Sequence, residues 1–396
     1  MRFITLLLVL VTSFSHAQEC IQLTPEVKTM GLSRSDVILG DVDVATLPIV
    51  FHVMHVGENV GEGSNISDAQ ITESLNEINK QFRKEPGSTG DGTGVDTKIE
   101  FCLAQRNPDG NPTTGITRHD LSGYPAYVNN GIAVSGLDDG MPDIDVKSIA
   151  CWDVDRYVNV YVVTEINGNN GIQGYAYTGP TNNCLDGVVI RSNRVAITEF
   201  NLGKTLTHEL GHYLNLLHTF ANTFSCDQEF NCEIQGDRVC DTPPTTVNSS
   251  CIVEACPDAL VDNYMDYTGQ VCRDSYTEGQ AERMHECIID QRPELIEGLS
   301  CVPPVDFDAG LANLAYKSSF CLEQQDISVD VIGIAQNTIP IVDVILIAGG
   351  ESYQYSLYDV SYGDSFEVLF EGVTVQGSFQ VDIVSEDDQY EGNNTL

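Results

Sequence analysis

Apolar positions follow two different periods along this chain. Pro48-Ile49-Val50-Phe51-His52-Val53-Met54 is a nearly unbroken apolar run and predicts a buried strand. Behind it, Ser67-Asp68-Ala69-Gln70 has the form of a capping box, and Ile71, Leu75, Ile78 and Phe82 recur at helical spacing, which predicts an amphipathic helix. Further strands are expected at Ile99 to Leu103, Tyr157 to Val163 and Val188 to Ile190, with Gly, Asn and Pro turns between them. One helix should cover about Lys204 to Leu214. Another should begin at the capping box Thr277-Glu278-Gly279-Gln280 and run to about Ile289, before Pro293.

Past Cys301-Val302-Pro303-Pro304 the pattern changes to short alternating runs, Ile327 to Val331, Phe366 to Val368 and Phe379 to Ile383. Such runs predict a small all-β sandwich over residues 305–396. Residues 18–43 lack sustained periodicity and are expected to be a pro-segment or N-terminal arm. The fold class is therefore α+β: one mixed unit over residues 44–300, followed by the sandwich.

Arg2, the apolar run Phe3 to Val11 and the small residues before Ala17 predict a secretory signal peptide over residues 1–17. That run is too short to span a membrane, and no later one approaches the roughly 20 apolar residues a span needs. Thirteen cysteines behind an export signal fit an oxidising, extracellular compartment. The count is odd, so at least one thiol is unpaired or pairs outside the chain. Lys and Arg number 19 against 58 Asp and Glu, a net charge of −39 that becomes −40 without Arg2. A surface this acidic repels nucleic acid and anionic membranes, so neither is expected as a partner.

The chemistry is concentrated in His208-Glu209-Leu210-Gly211-His212-Tyr213-Leu214-Asn215-Leu216-Leu217-His218. Residues four apart share a helix face, so His208 and His212 can offer nitrogens to one zinc ion. Glu209 lies on the adjoining edge, where it can reach a water on the metal as general base without being a ligand. His218 is six positions beyond His212, about 240° around a continuing helix, so the chain must leave the helix between them. Asn215 is one of the few non-glycine residues that tolerates the left-handed conformation this requires. Three histidines leave one tetrahedral position open, the mark of a catalytic site. The plain alternative is unrelated polar residues on a helix. An HExxH match arises by chance in about one chain in a hundred of this composition, and a third histidine at fixed spacing lowers that by roughly fifty-fold.

The motif resembles the metzincin pattern H-E-x-x-H-x-x-G-x-x-H with its downstream Met-turn, with Asn215 in place of the usual glycine. Within metzincins it is most similar to the pappalysin and cytophagalysin group. Supporting stretches are Pro48 to Val53, Cys151-Trp152-Asp153, Gly174-Tyr175-Ala176, Gly203 to Phe220, Gly236 to Pro243 and Asn263-Tyr264-Met265-Asp266-Tyr267. The resemblance spans about residues 45 to 295. It implies a metzincin catalytic domain, with a twisted mixed sheet, an active-site helix and an irregular lower subdomain, acting as a secreted zinc endopeptidase on protein or peptide substrates. It implies Met265 as the Met-turn residue beneath the metal and Tyr267 as a catalytic hydroxyl near the oxyanion. It implies Gly174 to Ala176 as the edge strand that binds extended substrate.

The resemblance further implies a calcium ion at Asp237 and Thr242. It also implies disulfides from Cys251 to Cys272 and from an earlier cysteine to Cys256. Some relatives prefer a basic residue after the cut through an acidic group before the cysteine matching Cys272. Val271 stands there in this chain, so a medium or apolar residue is expected instead. The C-terminal runs resemble immunoglobulin-like adhesion modules of bacterial secreted enzymes, which implies a surface ligand or protein partner. Cys20 is the candidate odd thiol. It could cap the zinc of a latent zymogen or pair with Cys102 or another cysteine. Two other readings stay open: an adhesion or binding protein on a metalloprotease-like scaffold, and hydrolysis of a non-peptide bond.

Overall fold

The computed structural model describes residues 20–23, 44–134, 140–168, 171–181, 183–198, 201–227, 231–252 and 256–303, and then 309–315, 324–333, 339–348, 351–361, 364–374 and 379–384. The expected signal, residues 1–17, and most of 18–43 lie outside these. In chain order the elements are β1 (Cys20–Leu23), β2 (Ala45–His55), α1 (Asp68–Phe82), β3 (Ile99–Leu103), β4 (Ile116–Asp120), α2 (Pro125–Asn130), β5 (Ile132–Ala133), β6 (Met141–Pro142), α3 (Asp143–Lys147), β7 (Val158–Val163), β8 (Gly174–Tyr177), β9 (Val188–Arg191), α4 (Ser192–Val195), α5 (Lys204–Tyr213), α6 (Glu278–Gln291) and α7 (Glu294–Glu297). The C-terminal strands are β10 (Ala309–Ala315), β11 (Gln324–Gly333), β12 (Ile339–Ala348), β13 (Glu351–Val360), β14 (Ser365–Thr374) and β15 (Phe379–Val384). The chain is thus α+β, a mixed sheet with few helices followed by all-β sheets.

The main sheet runs β1-β8-β9-β7-β2-β3, with β4 also on β2. β2 is flanked by parallel partners on both sides, which is why its run is apolar without alternation. Side chains one residue apart leave opposite faces of the sheet. Ile49, Phe51, Val53, Val160, Val162, Ala176 and Ile190 meet α1, α5 and α6 on one face. Met54, Tyr161, Val163, Tyr175 and Tyr177 meet the layer of α2 and α3 on the other. β8 runs antiparallel to β9, and β1 pairs in parallel with its other side as the edge strand.

α1 starts where the capping box predicts: Ser67 Oγ accepts from Gln70 N at 3.3 Å and Ser67 N donates to Gln70 Oε1 at 2.9 Å. Its Ile71, Ile78 and Phe82 are wholly buried, each contributing about 1.5–3 kcal/mol by removal from water. α6 repeats the device through Thr277 and Gln280.

In the C-terminal part, two antiparallel three-stranded sheets, β10-β11-β14 and β13-β12-β15, share one core that includes Val329, Val331, Val344, Leu346 and Val368. Among the described residues, no helix is long and apolar enough to cross a membrane.

Candidate metal centre

α5 is buried from end to end, so its histidines are presented inside the protein. The helix stops after Tyr213, Leu214 caps it, and Asn215 takes φ 72°, the left-handed turn expected of it. Asn215 N donates to His212 O at 2.9 Å and Leu216 N to Gly211 O at 2.9 Å. From α6, Arg283 Nε donates to Asn215 O at 2.7 Å. This turn brings His218 back over the helix.

The ligating atoms of His208, His212 and His218 all lie within 4.8 Å of one another. His218 Nε2 is 3.2 Å from His208 Nε2 and 3.0 Å from His212 Nε2. His208 Nδ1 meets Tyr264 O at 2.6 Å and His212 Nδ1 meets Leu216 O at 2.8 Å. A carbonyl oxygen only accepts, so both Nδ1 atoms carry the hydrogen and both Nε2 atoms present lone pairs. Lone pairs this close require a positive centre between them. A proton on His218 would lie in line with one contact at most, whereas a divalent cation satisfies all three. Burial lowers the pKa of every ring, His212 to about 4 against the pull of its bond to Leu216 O, and His208 and His218 well below the ordinary value, where neighbouring imidazoles add to it. The rings are therefore neutral at pH 7, the state in which imidazole binds metal. Three neutral imidazoles with one vertex left over fit a catalytic zinc ion.

Glu209 is fully buried beside the histidines. It rests against β8: a side chain on Gly174 would place its Cβ 3.0 Å from Glu209 Cγ and 3.1 Å from Oε1. A larger residue there would have to push the carboxylate or the strand aside by a few tenths of an ångström. Gly211 plays the same part below the helix, where a Cβ would lie 2.5 Å from Met265 Sδ. Met265 packs under the helix, while the preceding carbonyl, of Tyr264, orients His208. Asn263 braces that turn, accepting from Met265 N at 2.9 Å and exchanging hydrogen bonds with Gln280 of the α6 cap.

Tyr267 is half-buried at the site, its ring 4.6 Å from that of His218. Phe220 stacks on His218 at 4.7 Å and meets the Tyr267 ring edge-on at 4.7 Å, so the three rings form one cluster. Phe220, Gly211 and Tyr276, whose hydroxyl donates to Thr207 O at 2.8 Å, are site residues not expected from the sequence, and Gly174, expected only as part of the substrate strand, also lies against Glu209. Aromatic residues beside the motif were the available signal for Phe220; the glycines become visible only once the contacts are known.

Asp237 and Thr242 lie together, Thr242 Oγ1 donating to Asp237 Oδ2 at 2.7 Å. Burial pushes the Asp237 carboxyl up to about 7 although Thr242 and Val239 N pull it down. Cys251 pairs with Cys272, and Cys226 is the earlier cysteine that pairs with Cys256. The remaining bridges are Cys232–Cys240, Cys151–Cys184 and Cys102–Cys301. The alternative pairing of Cys20 with Cys102 is thus corrected, because β3 and the exit of the mixed unit bring Cys301 to Cys102. Cys287, buried in α6, is the free thiol among the described residues. Of Cys20 the backbone is described: β1 lies parallel to β8 with Cys20 opposite Gly174.

The family model of Peptidase_M43, Pregnancy-associated plasma protein-A, matches residues 140–289. An extracellular metalloprotease of Arthroderma gypseum is 37% identical over 271 residues, 65% of this chain and 77% of that one. An extracellular metalloprotease of Verticillium alfalfae is 35% identical over 254 residues, 60% of this chain and 73% of that one. Among solved structures, a mutant of Tannerella forsythia promirolysin aligns with a TM-score of 0.51 at 27% identity, covering 64% of this chain and 85% of that one.

Proposed function

The chain belongs to the Peptidase_M43 family of metalloproteases, and from that premise we propose that it is a secreted zinc endopeptidase with His208, His212 and His218 as ligands and Glu209 as general base. The convergence of three neutral ring nitrogens beside a buried carboxylate carries this reading. Zinc, when bound, supplies Lewis acidity, making a water acidic near neutral pH and polarising the scissile carbonyl. Glu209 takes the water's proton and returns it to the leaving amine. Tyr267, beside His218, donates its hydroxyl hydrogen to the oxyanion as it develops. Extended substrate pairs with the backbone of β8, whose Gly174 lies against Glu209, so the scissile bond is held at the carboxylate.

The acidic surface and the relatives named as extracellular support export behind a signal at residues 1–17. The pairing of β1 with β8 supports latency, since a pro-segment bonded along the strand excludes substrate, with Cys20 at the level of Gly174. The buried carboxyl of Asp237 beside the Thr242 hydroxyl, 2.7 Å apart, supports calcium binding, because both offer hard oxygen ligands. The adhesion-scaffold reading needs no buried glutamate beside three histidines, which disfavours it. Incubating the processed protein with casein tests the proposal. Cleavage that a chelator stops and zinc restores is expected; intact casein with metal-loaded protein would reject it.

A further inference from the structure

Behind β8, on the face away from Glu209, lies a buried charged cluster that takes no part in the chemistry. Tyr175 and Tyr177 of β8 both donate to the same carboxylate, Tyr175 to Asp143 Oδ1 at 2.8 Å and Tyr177 to Asp143 Oδ2 at 3.1 Å. Lys147, one helical turn on in α3, is completely buried and 3.2 Å from Asp143 Oδ1. Its ammonium sits over both tyrosine rings at 5.1 Å and donates to Leu185 O at 2.8 Å. The next residue, Asp186, forms a two-pronged ion pair with Arg292 at 2.6 and 2.9 Å, and Arg292 donates to Tyr213 Oη at 2.8 Å. Tyr213 is the last residue of α5 and directly follows His212. Two sets of charge-assisted bonds, joined through the Leu185–Asp186 backbone, therefore link β8 to the helix that carries the zinc ligands.

Burying two ion pairs costs several kcal/mol per ion, and apolar residues of the same volume would stabilise the fold as well or better. Such a cluster has its use where it defines geometry, and β8 is where geometry is needed. β8 bonds to β9 on one side through Gly174 to Ala176 and to β1 on the other through Gly174 to Tyr177. The side that β1 occupies is the one an extended substrate would take once the N-terminal arm is removed. Resting on the endopeptidase reading above, we infer that Asp143 and Lys147 are positioning residues for substrate binding, holding β8 in register with α5 so that an extended peptide bonded to β8 meets Glu209.

The test compares wild type with the Tyr175→Phe/Tyr177→Phe double variant and with Lys147→Met, using a ten-residue quenched peptide and acetohydroxamate, a small chelator that engages only the metal. For both variants KM should rise about ten-fold, with kcat per metal-loaded site within about two-fold and acetohydroxamate inhibition unchanged, the signature of lost peptide binding. A cluster that merely stabilises the fold would lower the active fraction and leave KM where it was, and that result would overturn the inference. Should Lys147→Met not fold, the double Phe variant, which removes only two oxygens, decides alone. Wild type that cleaves nothing would reject the endopeptidase reading itself. Wild type that cleaves, with a double Phe variant of unchanged KM, would reject the positioning role only.

Discussion

The two sides of α5 are built on different principles. Above it, residues 44–213 form a hydrogen-bonded sheet with a large apolar core, in which Leu47, Ile49, Phe51, Val160 and Phe82 are fully buried. Below it, from Leu214 to Thr277, the described residues contain no helix or strand, yet three of the five disulfides among the described residues lie there. The lower side nevertheless supplies His218, the carbonyl that orients His208, and Met265. The upper side is held by cooperative burial and the lower by covalent staples and by turns bonded to the helix. Loss of packing should therefore act on the whole upper layer, and loss of a staple on the site alone.

The largest effect expected is chemical. Glu209→Ala should lower turnover of a quenched peptide on the order of 10³-fold or more while metal content stays at the wild-type level. Next, Phe82→Ala should remove about 3–5 kcal/mol from the upper core, seen as one cooperative shift in the denaturant midpoint. Removing the Cys251–Cys272 bridge with Cys251→Ser and Cys272→Ser should cost about 3 kcal/mol. Here hydrogen exchange should rise in residues 214–275 and metal should be lost sooner, with β2 and β7 amides still protected. A uniform rise across both sides would remove the distinction.

The smallest effect concerns acid. His52 is buried in the sheet between Thr117 Oγ1 and Asn159 Oδ1, at 2.7 and 2.9 Å, and burial lowers its pKa to about 3. The folded pKa lies below the unfolded value, so the neutral ring's contribution is complete above about pH 6.5 and is lost as pH falls toward 3. Between pH 7 and pH 5 it should fall by about 2 kcal/mol. Measured on metal-free protein, His52→Gln should have an acid-side stability slope shallower by that amount; an unchanged slope would place the titration elsewhere.

Where its signals are local, much of the fold could be read from the chain. The capping boxes at Ser67 and Thr277 start helices within a residue of the expected place, and the left-handed turn at Asn215 follows from the angle between His212 and His218. Strands β1, β4, β5, β6, β10 and β13 and the short helices α2, α3, α4 and α7 were not foreseen, being too short or too mixed in pattern to show a period, while β12, a ten-residue run that is mostly apolar, carried a signal that was passed over. What depends on distant contacts stayed hidden. Cys102 and Cys301 are 199 positions apart, and nothing in their spacing joins them. Asp143 and Lys147 look like an ordinary solvated pair one turn apart on a helix; only the fold shows Tyr175 and Tyr177 closing over them. Gly174 and Gly211 likewise gain meaning from Glu209 and Met265, their neighbours in space.

The most direct test of the central claim is elemental analysis of the purified, processed protein beside His218→Ala, the variant that removes the one ligand reached through the turn. One zinc per chain in the wild type, and a small fraction of that in the variant, is the predicted result. A wild type without stoichiometric divalent metal, or a variant that holds as much as the wild type, would contradict it.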